Sequence, residues 1–170
     1  MQPQLTVAGL LRGRSDTISL PLELLSGEEG TERPITSPHI QKTGLALAGF
    51  HEYLQPGRVL VFGESEVRYL DALDSETLLN VLATAFTHDI PCVLITGGWT
   101  PPPQLVTACE RFHVPLLRTS VATPAAIARI GATSVAAATF DSTVLRSEIG
   151  SDFQNRALRS LRSLYRAPMP

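Results

Sequence analysis

Cysteine is scarce in this chain of 170 residues. It has two, Cys92 and Cys109, and they do not form a C-x-x-C pair. Their spacing supports neither a disulfide framework nor a thiol redox motif. Cys92 sits in the apolar run Pro91–Ile95, and Cys109 sits in a helical pattern near Val106 and Phe112. Both read as reduced core thiols. Long apolar runs are missing too: none approaches the ~18 residues that a membrane helix needs. Met1–Gly13 has no apolar stretch after a basic start, so it does not read as a secretion signal, and the expected location is the cytoplasm. Charge is nearly balanced at −2, which gives no global reason to expect nucleic acid or an acidic membrane as partner.

Several catalytic motifs are also missing. No G-x-x-x-x-G-K-[ST] loop occurs, so the chain has no visible cradle for ATP-dependent phosphoryl transfer. Lys42-Thr43-Gly44 has only the look of such a loop; Gly44 is better read as a strand-to-helix turn. No G-x-G-x-x-G and no G-x-S-x-G occurs. His39, His51, His88 and His113 are widely spaced, with no H-x-x-x-H and no cysteine nearby, so no metal and no cofactor are expected. The sequence nominates no catalytic residue. Glu28 and Glu29 are adjacent carboxylates, but Gly27 and Gly30 flank them in a solvated turn, where acid–base tuning is not expected.

What is present is a core. Almost half the residues are apolar and mean hydropathy is +0.11, enough for one domain with a tail. The stretch Leu22–Gly63 organises it. Apolar runs at Leu22–Leu25, Ile35–Ile40 and Val59–Phe62 read as strands, each closed by glycine or proline. Between the last two, GLALAGFHEYL can form a short helix. Upstream, LTVAGLLRG opens with Leu5, Val7, Leu10 and Leu11, and Thr6 is of a residue type that serves as an N-cap.

Downstream, strands and helices alternate. Ser65 can cap a helix through Leu73, and Asp74 or Ser75 a second one carrying Leu78, Leu79, Leu82, Ala85 and Phe86. Cys92–Ile95 reads as a buried strand, Pro101–Pro103 as the first turn of a helix, and Val114–Leu117 as another strand. This alternation implies parallel strands with right-handed crossovers. The expected fold is a three-layer α/β/α domain on a mixed, mostly parallel sheet of about five strands. Gly97, Gly98, Trp99 and Thr100 follow a strand and precede a helix, a setting that can receive an anion. They are the ligand-binding candidates, set against a reading as a plain structural turn.

After Ser120 the pattern changes. Pro124–Ile130 is expected to be helical with Thr123 as N-cap, and GATSVAAATFDSTV reads as either strand or loop. Residues 152–166 form an amphipathic helix on paper, with Leu158 and Leu161 opposite Arg156, Arg159 and Arg162. Such a helix docks by its apolar face or lies on an anionic polymer or membrane; docking or self-association is expected.

The order SGEEG, R-P-I-T, GLALAGFHEYL, GRVLVFGESE, DSETLL, IPCVLITGG, PPPQL and VPLLRTS resembles the N-terminal domain of HPr kinase/phosphorylase, over roughly Leu5 to Ser120. The resemblance implies residues 1–120 as that domain, similar in fold to the nucleotide-holding domain of Mur ligases, and 121–170 as a divergent segment. The full-length family is a bacterial serine kinase and phosphorylase in carbon-metabolism control, acting as a hexamer. Its catalytic domain has no counterpart here, so this chain by itself is expected to be a non-catalytic accessory domain, either a fragment or a free-standing relative. A binder of a nucleotide or sugar phosphate near Gly97–Trp99, and an oligomerisation scaffold, are the alternatives. The expected partners are a second copy, an attached or separate kinase domain, or a small phosphate ligand.

Overall fold

The structure is a computed structural model that describes residues 5–13 and 20–133. The helix expected at 152–166 and residues 134–144 of the segment read as strand or loop lie outside the described residues; the first three residues of that segment, 131–133, are helical. Five strands form one sheet: β1 (Glu23–Ser26), β2 (Gln41–Lys42), β3 (Leu60–Phe62), β4 (Val93–Ile95) and β5 (Leu116–Arg118). Their spatial order is β1-β5-β4-β3-β2. β2, β3, β4 and β5 run parallel, and β1 joins β5 antiparallel. The mixed, mostly parallel sheet read from the alternation is therefore present.

The chain crosses this sheet in one direction, from β2 to β5. Right-handed crossovers made in one direction place every connecting helix on the same face. These helices are α2 (Gly44–Leu47), α3 (Glu64–Ala72), α4 (Ser75–Phe86) and α5 (Pro103–Arg111). Side chains alternate along a strand, so each central strand feeds two cores. Leu60, Phe62, Val93, Ile95 and Leu116 face α3, α4 and α5. Val61, Leu94 and Leu117 face the opposite layer, where α1 (Val7–Leu11) contributes Val7 and Leu10 and helix α6 (123–133) contributes Ile130. Helices thus cover both faces. Leu94 and Leu117 are fully buried, and each such side chain stabilises the fold by about 1.5–3 kcal/mol.

Local signals explain the helix ends. Thr6 accepts from the Gly9 amide at 3.1 Å and caps α1. Asp74 accepts from the amides of Glu76 and Thr77 and caps α4. α5 starts at Pro103, where a missing N–H costs nothing. α3 departs from expectation: Gly63, not Ser65, is its N-cap, because Glu66 reaches back to the Gly63 amide at 2.9 Å. Thr123 likewise lies inside α6 rather than capping it, since its hydroxyl is engaged with Thr96. Gly49, at φ 101, ends α2 after one turn, so GLALAGFHEYL becomes α2 and a separate 3₁₀ turn at His51–Tyr53.

Ile35–Ile40 is not a strand. The chain there turns through Pro38, with the Thr36 and Ser37 amides both donating to the Gly57 carbonyl. Only Gln41–Lys42 pairs with β3. Ile35 is still buried, packed on Val7 and Val59 in the second core. The strap is pinned by Arg33, whose guanidinium donates to the carbonyls of Ile90 at 2.9 Å and Phe112 at 3.1 Å. Glu28–Gly30 is a 3₁₀ turn with both glutamates exposed, and Glu29 pairs with His113 Nδ1 at 2.6 Å.

Candidate functional site

In a parallel sheet the carboxyl ends of the strands are the usual place for a ligand. Here each parallel strand is closed there by a small or hydroxyl-bearing residue: Thr43 after β2, Gly63 after β3, Thr96 after β4 and Thr119 after β5. The three threonines are buried. Thr43 Oγ1 donates to the Val61 carbonyl at 3.0 Å, and Thr96 Oγ1 to the Phe62 carbonyl at 3.2 Å. Thr96 has then spent its one hydrogen. The 2.6 Å contact between Thr96 and Thr123 must therefore run from Thr123 to Thr96. This chain of hydroxyls fastens the start of α6 to the ends of β3 and β4.

Beside it opens a cleft of about 900 Å³, within the ~300–1,000 Å³ common for small-molecule sites. One wall is apolar, from Ile40, Val61 and Ile127. The other is polar, from Glu64, Ser65, Glu66 and Arg68 on the first turns of α3, with Thr123 at the back. Gly63 must stay small: a Cβ there would lie 3.0 Å from Thr123 Oγ1 and 3.4 Å from Glu66 Oε2. Glu64 Oε1 accepts from Arg68 Nε at 2.8 Å. Glu66 Oε2 accepts from the Gly63 amide and, at 3.1 Å, from Ser65 Oγ.

Gly97, Gly98, Trp99 and Thr100 lie next to this cleft rather than in it. Gly97 and Gly98 take left-handed φ values of 71° and 72°, which only glycine adopts freely. Their amides donate to the carbonyls of Val121 and Thr119, each at 2.9 Å, so both donors are held by the protein itself. Trp99 packs half-buried against the first core, and Thr100 is exposed. The link to the cleft is Arg68, whose guanidinium carbon lies 5.3 Å from the Trp99 ring centroid, within cation–π range.

The cysteines take no part in a site. Both are buried and unbonded to each other. Burial pushes the Cys92 thiol up to about 12 and raises that of Cys109 as well, so neither supplies a thiolate. The cleft residues escaped the sequence reading because they come from three separated stretches, 40–44, 61–68 and 123–127, that only the fold brings together. The signal that could have found them is the recurrence of Thr or Gly directly after each strand, in KTG, FGE, ITGG and RTS.

A family model described as HPr Serine kinase N terminus matches residues 14–133. The chain belongs to this family. As an HPr serine kinase N-terminal domain it is 36% identical over 102 residues to an HPr kinase/phosphorylase of Bacillus cereus (strain B4264), covering 60% of this chain and 33% of that protein. The HPr kinase/phosphorylase of Bacillus anthracis (strain A0248) is 35% identical over the same length and shares. The chain thus spans about a third of the length of the curated relatives it matches. Among solved structures, the CBS and DRTGG domains of the regulatory region of Clostridium perfringens pyrophosphatase, complexed with the activator diadenosine tetraphosphate, align at a TM-score of 0.40. That alignment has 16% identity and covers 66% of this chain and 42% of that one. Among the described residues of this domain, no helix is long and apolar enough to cross a membrane.

Proposed function

We propose that this chain acts as a non-catalytic regulatory domain of the HPr kinase/phosphorylase type, in the control of bacterial carbon metabolism through the phosphotransferase system and in the cytoplasm. The observation that carries the reading is the family match over residues 14–133, set against relatives of which this chain covers 33%. The sequence holds no G-x-x-x-x-G-K-[ST] loop, and the cleft offers hydroxyls and ion-paired side chains rather than a phosphate cradle. On this reading the chain influences a kinase body, joined to it or separate, and does not itself transfer phosphate.

A second reading, self-association, draws support from three exposed aromatics: Phe50, Tyr53 and Tyr69. They share one region, since the Tyr69 hydroxyl donates to the Leu47 carbonyl at 3.4 Å. The test of the first reading is a phosphorylation assay. Purified chain with Mg²⁺, ATP and HPr is expected to yield no phosphoserine above a mock preparation. Phosphoserine above that level would overturn the non-catalytic assignment.

A further inference from the structure

We infer that the cleft between α3 and α6 is a binding site for a neutral polyhydroxylated small molecule, a sugar or sugar-like polyol. The inference deepens the regulatory reading above by naming what such a domain would sense. It rests on where the hydrogens of the cleft are spent.

A hydroxyl has one hydrogen to give and two lone pairs to receive. Ser65 gives its hydrogen to Glu66, and Thr123 gives its hydrogen to Thr96, which passes its own to Phe62. Toward the cleft these side chains therefore present lone pairs. Glu64 and Glu66 add acceptors: one oxygen of each carboxylate is engaged with Arg68 or with Gly63 and Ser65, and among the described residues the second has no hydrogen-bond partner. The side-chain donors of the described lining are the Gln41 amide and the Arg68 guanidinium, whose Nε is held by Glu64. The opening amides of α3 and α6 add donors at the same rim.

Charge decides between ligand classes. Among the described side chains, two carboxylates and one guanidinium line the cleft, a sum of one net negative charge. That balance disfavours a phosphate and accepts a neutral guest. The guest must give several hydrogen bonds to acceptors on one side and receive a few from Arg68. Its other face must be content against Ile40, Val61 and Ile127. A sugar ring meets all three conditions, because every hydroxyl both donates and accepts while its C–H face is apolar. The volume of about 900 Å³ leaves room for one such ring with water.

The fold supplies a clean way to close the cleft. A Cβ built on Gly44 meets nothing within 4 Å, and its φ is not in the left-handed region, so Gly44→Phe adds bulk at the cleft wall without a clash in the backbone. The experiment follows the ¹H–¹⁵N spectrum of the full chain while glucose, mannitol and inositol are each titrated through the millimolar range, with inorganic phosphate as the anionic comparison.

The expected result is saturable movement of the Ser65 and Thr123 amides and of the Trp99 indole with a neutral polyol. It should be lost in Gly44→Phe and weakened about tenfold or more in Glu64→Gln. Both variants should keep a dispersed spectrum. Two results overturn the inference: no saturation by any of the three polyols, or tighter saturation of the same amides by phosphate. Either failure, with an unchanged effect of the chain on a kinase body, would remove the ligand and leave the regulatory reading in place.

Discussion

Thr96→Val removes one hydroxyl from the end of β4 and little else. Thr96 is fully buried, donates to the Phe62 carbonyl and receives the Thr123 hydroxyl at 2.6 Å. Valine keeps the branched shape but none of the bonds. The Phe62 carbonyl is not orphaned, because the Thr96 amide still donates to it at 3.0 Å. The loss falls on Thr123, a half-buried donor left without its acceptor. A net cost of about 1–2 kcal/mol follows, which lowers Tm by about 5 °C in a domain of this size. Thr123→Ala should cost about 1 kcal/mol by stranding the Thr96 lone pairs. The double variant removes both ends of the bond. It should be less destabilised than the sum of the singles by about 1 kcal/mol. Urea melts of the four proteins measure this cycle. Costs that add within ~0.3 kcal/mol would refute the claim that this bond fastens α6 to the sheet.

Other outcomes follow from the same geometry. Val61→Asp places a carboxylate in the second core, where Val61 is 6% exposed, and should cost about 3 kcal/mol or more; a melt matching the parent would refute its burial. Gly30→Ala should destabilise through a clash of the new Cβ with the His113 carbonyl oxygen, read as a lowered midpoint in urea. Cys92 and Cys109 should resist a thiol reagent in the native protein and react only on denaturation, given their burial and raised thiol pKa values. The hydroxyl and amide of Thr77 hold the Asp74 carboxyl below its ordinary 3.8. A depressed pKa contributes stability that is present above the unfolded value and lost as pH falls through the folded one. Asp74→Ala should therefore flatten that acid-side loss in melts run from ~pH 5 to ~pH 2.

The parts of the fold that could be read from the sequence are those set by neighbours along the chain. β3, β4 and β5 are short continuous apolar runs between turn residues, the mark of strands covered on both faces. Thr6, Asp74 and the proline run act within four residues of themselves, so their roles as helix starts were readable. Ile35–Ile40 has isoleucine at both ends and reads as a strand, yet it folds as a strap in which Gly57 receives two of its amides and Arg33 ties it to distant carbonyls. Those contacts reach across the sequence and leave no local mark, whereas Pro38, where the chain turns, is a local one. Ser65 looked like the cap of α3, but the reach of Glu66 to Gly63 moved the start back by two residues. The Gly97–Thr100 turn was visible as glycine after a strand; that Val121 and Thr119 receive its amides was not, because they belong to the next connection. The cleft depends on the ends of β2 and β3 meeting side by side beneath α6, an arrangement that the strand order supplies.

The account turns on this domain acting upon a kinase rather than as one. The direct measurement supplies the purified chain, at rising concentration, to a Bacillus cereus HPr kinase/phosphorylase from which the matching N-terminal third has been removed, and follows phosphoserine formation on HPr. The account predicts a saturable change in that rate, in either direction, that is absent when the chain has been unfolded beforehand. A rate that stays flat over the whole range, also when the chain is fused in place of the missing third, would contradict it.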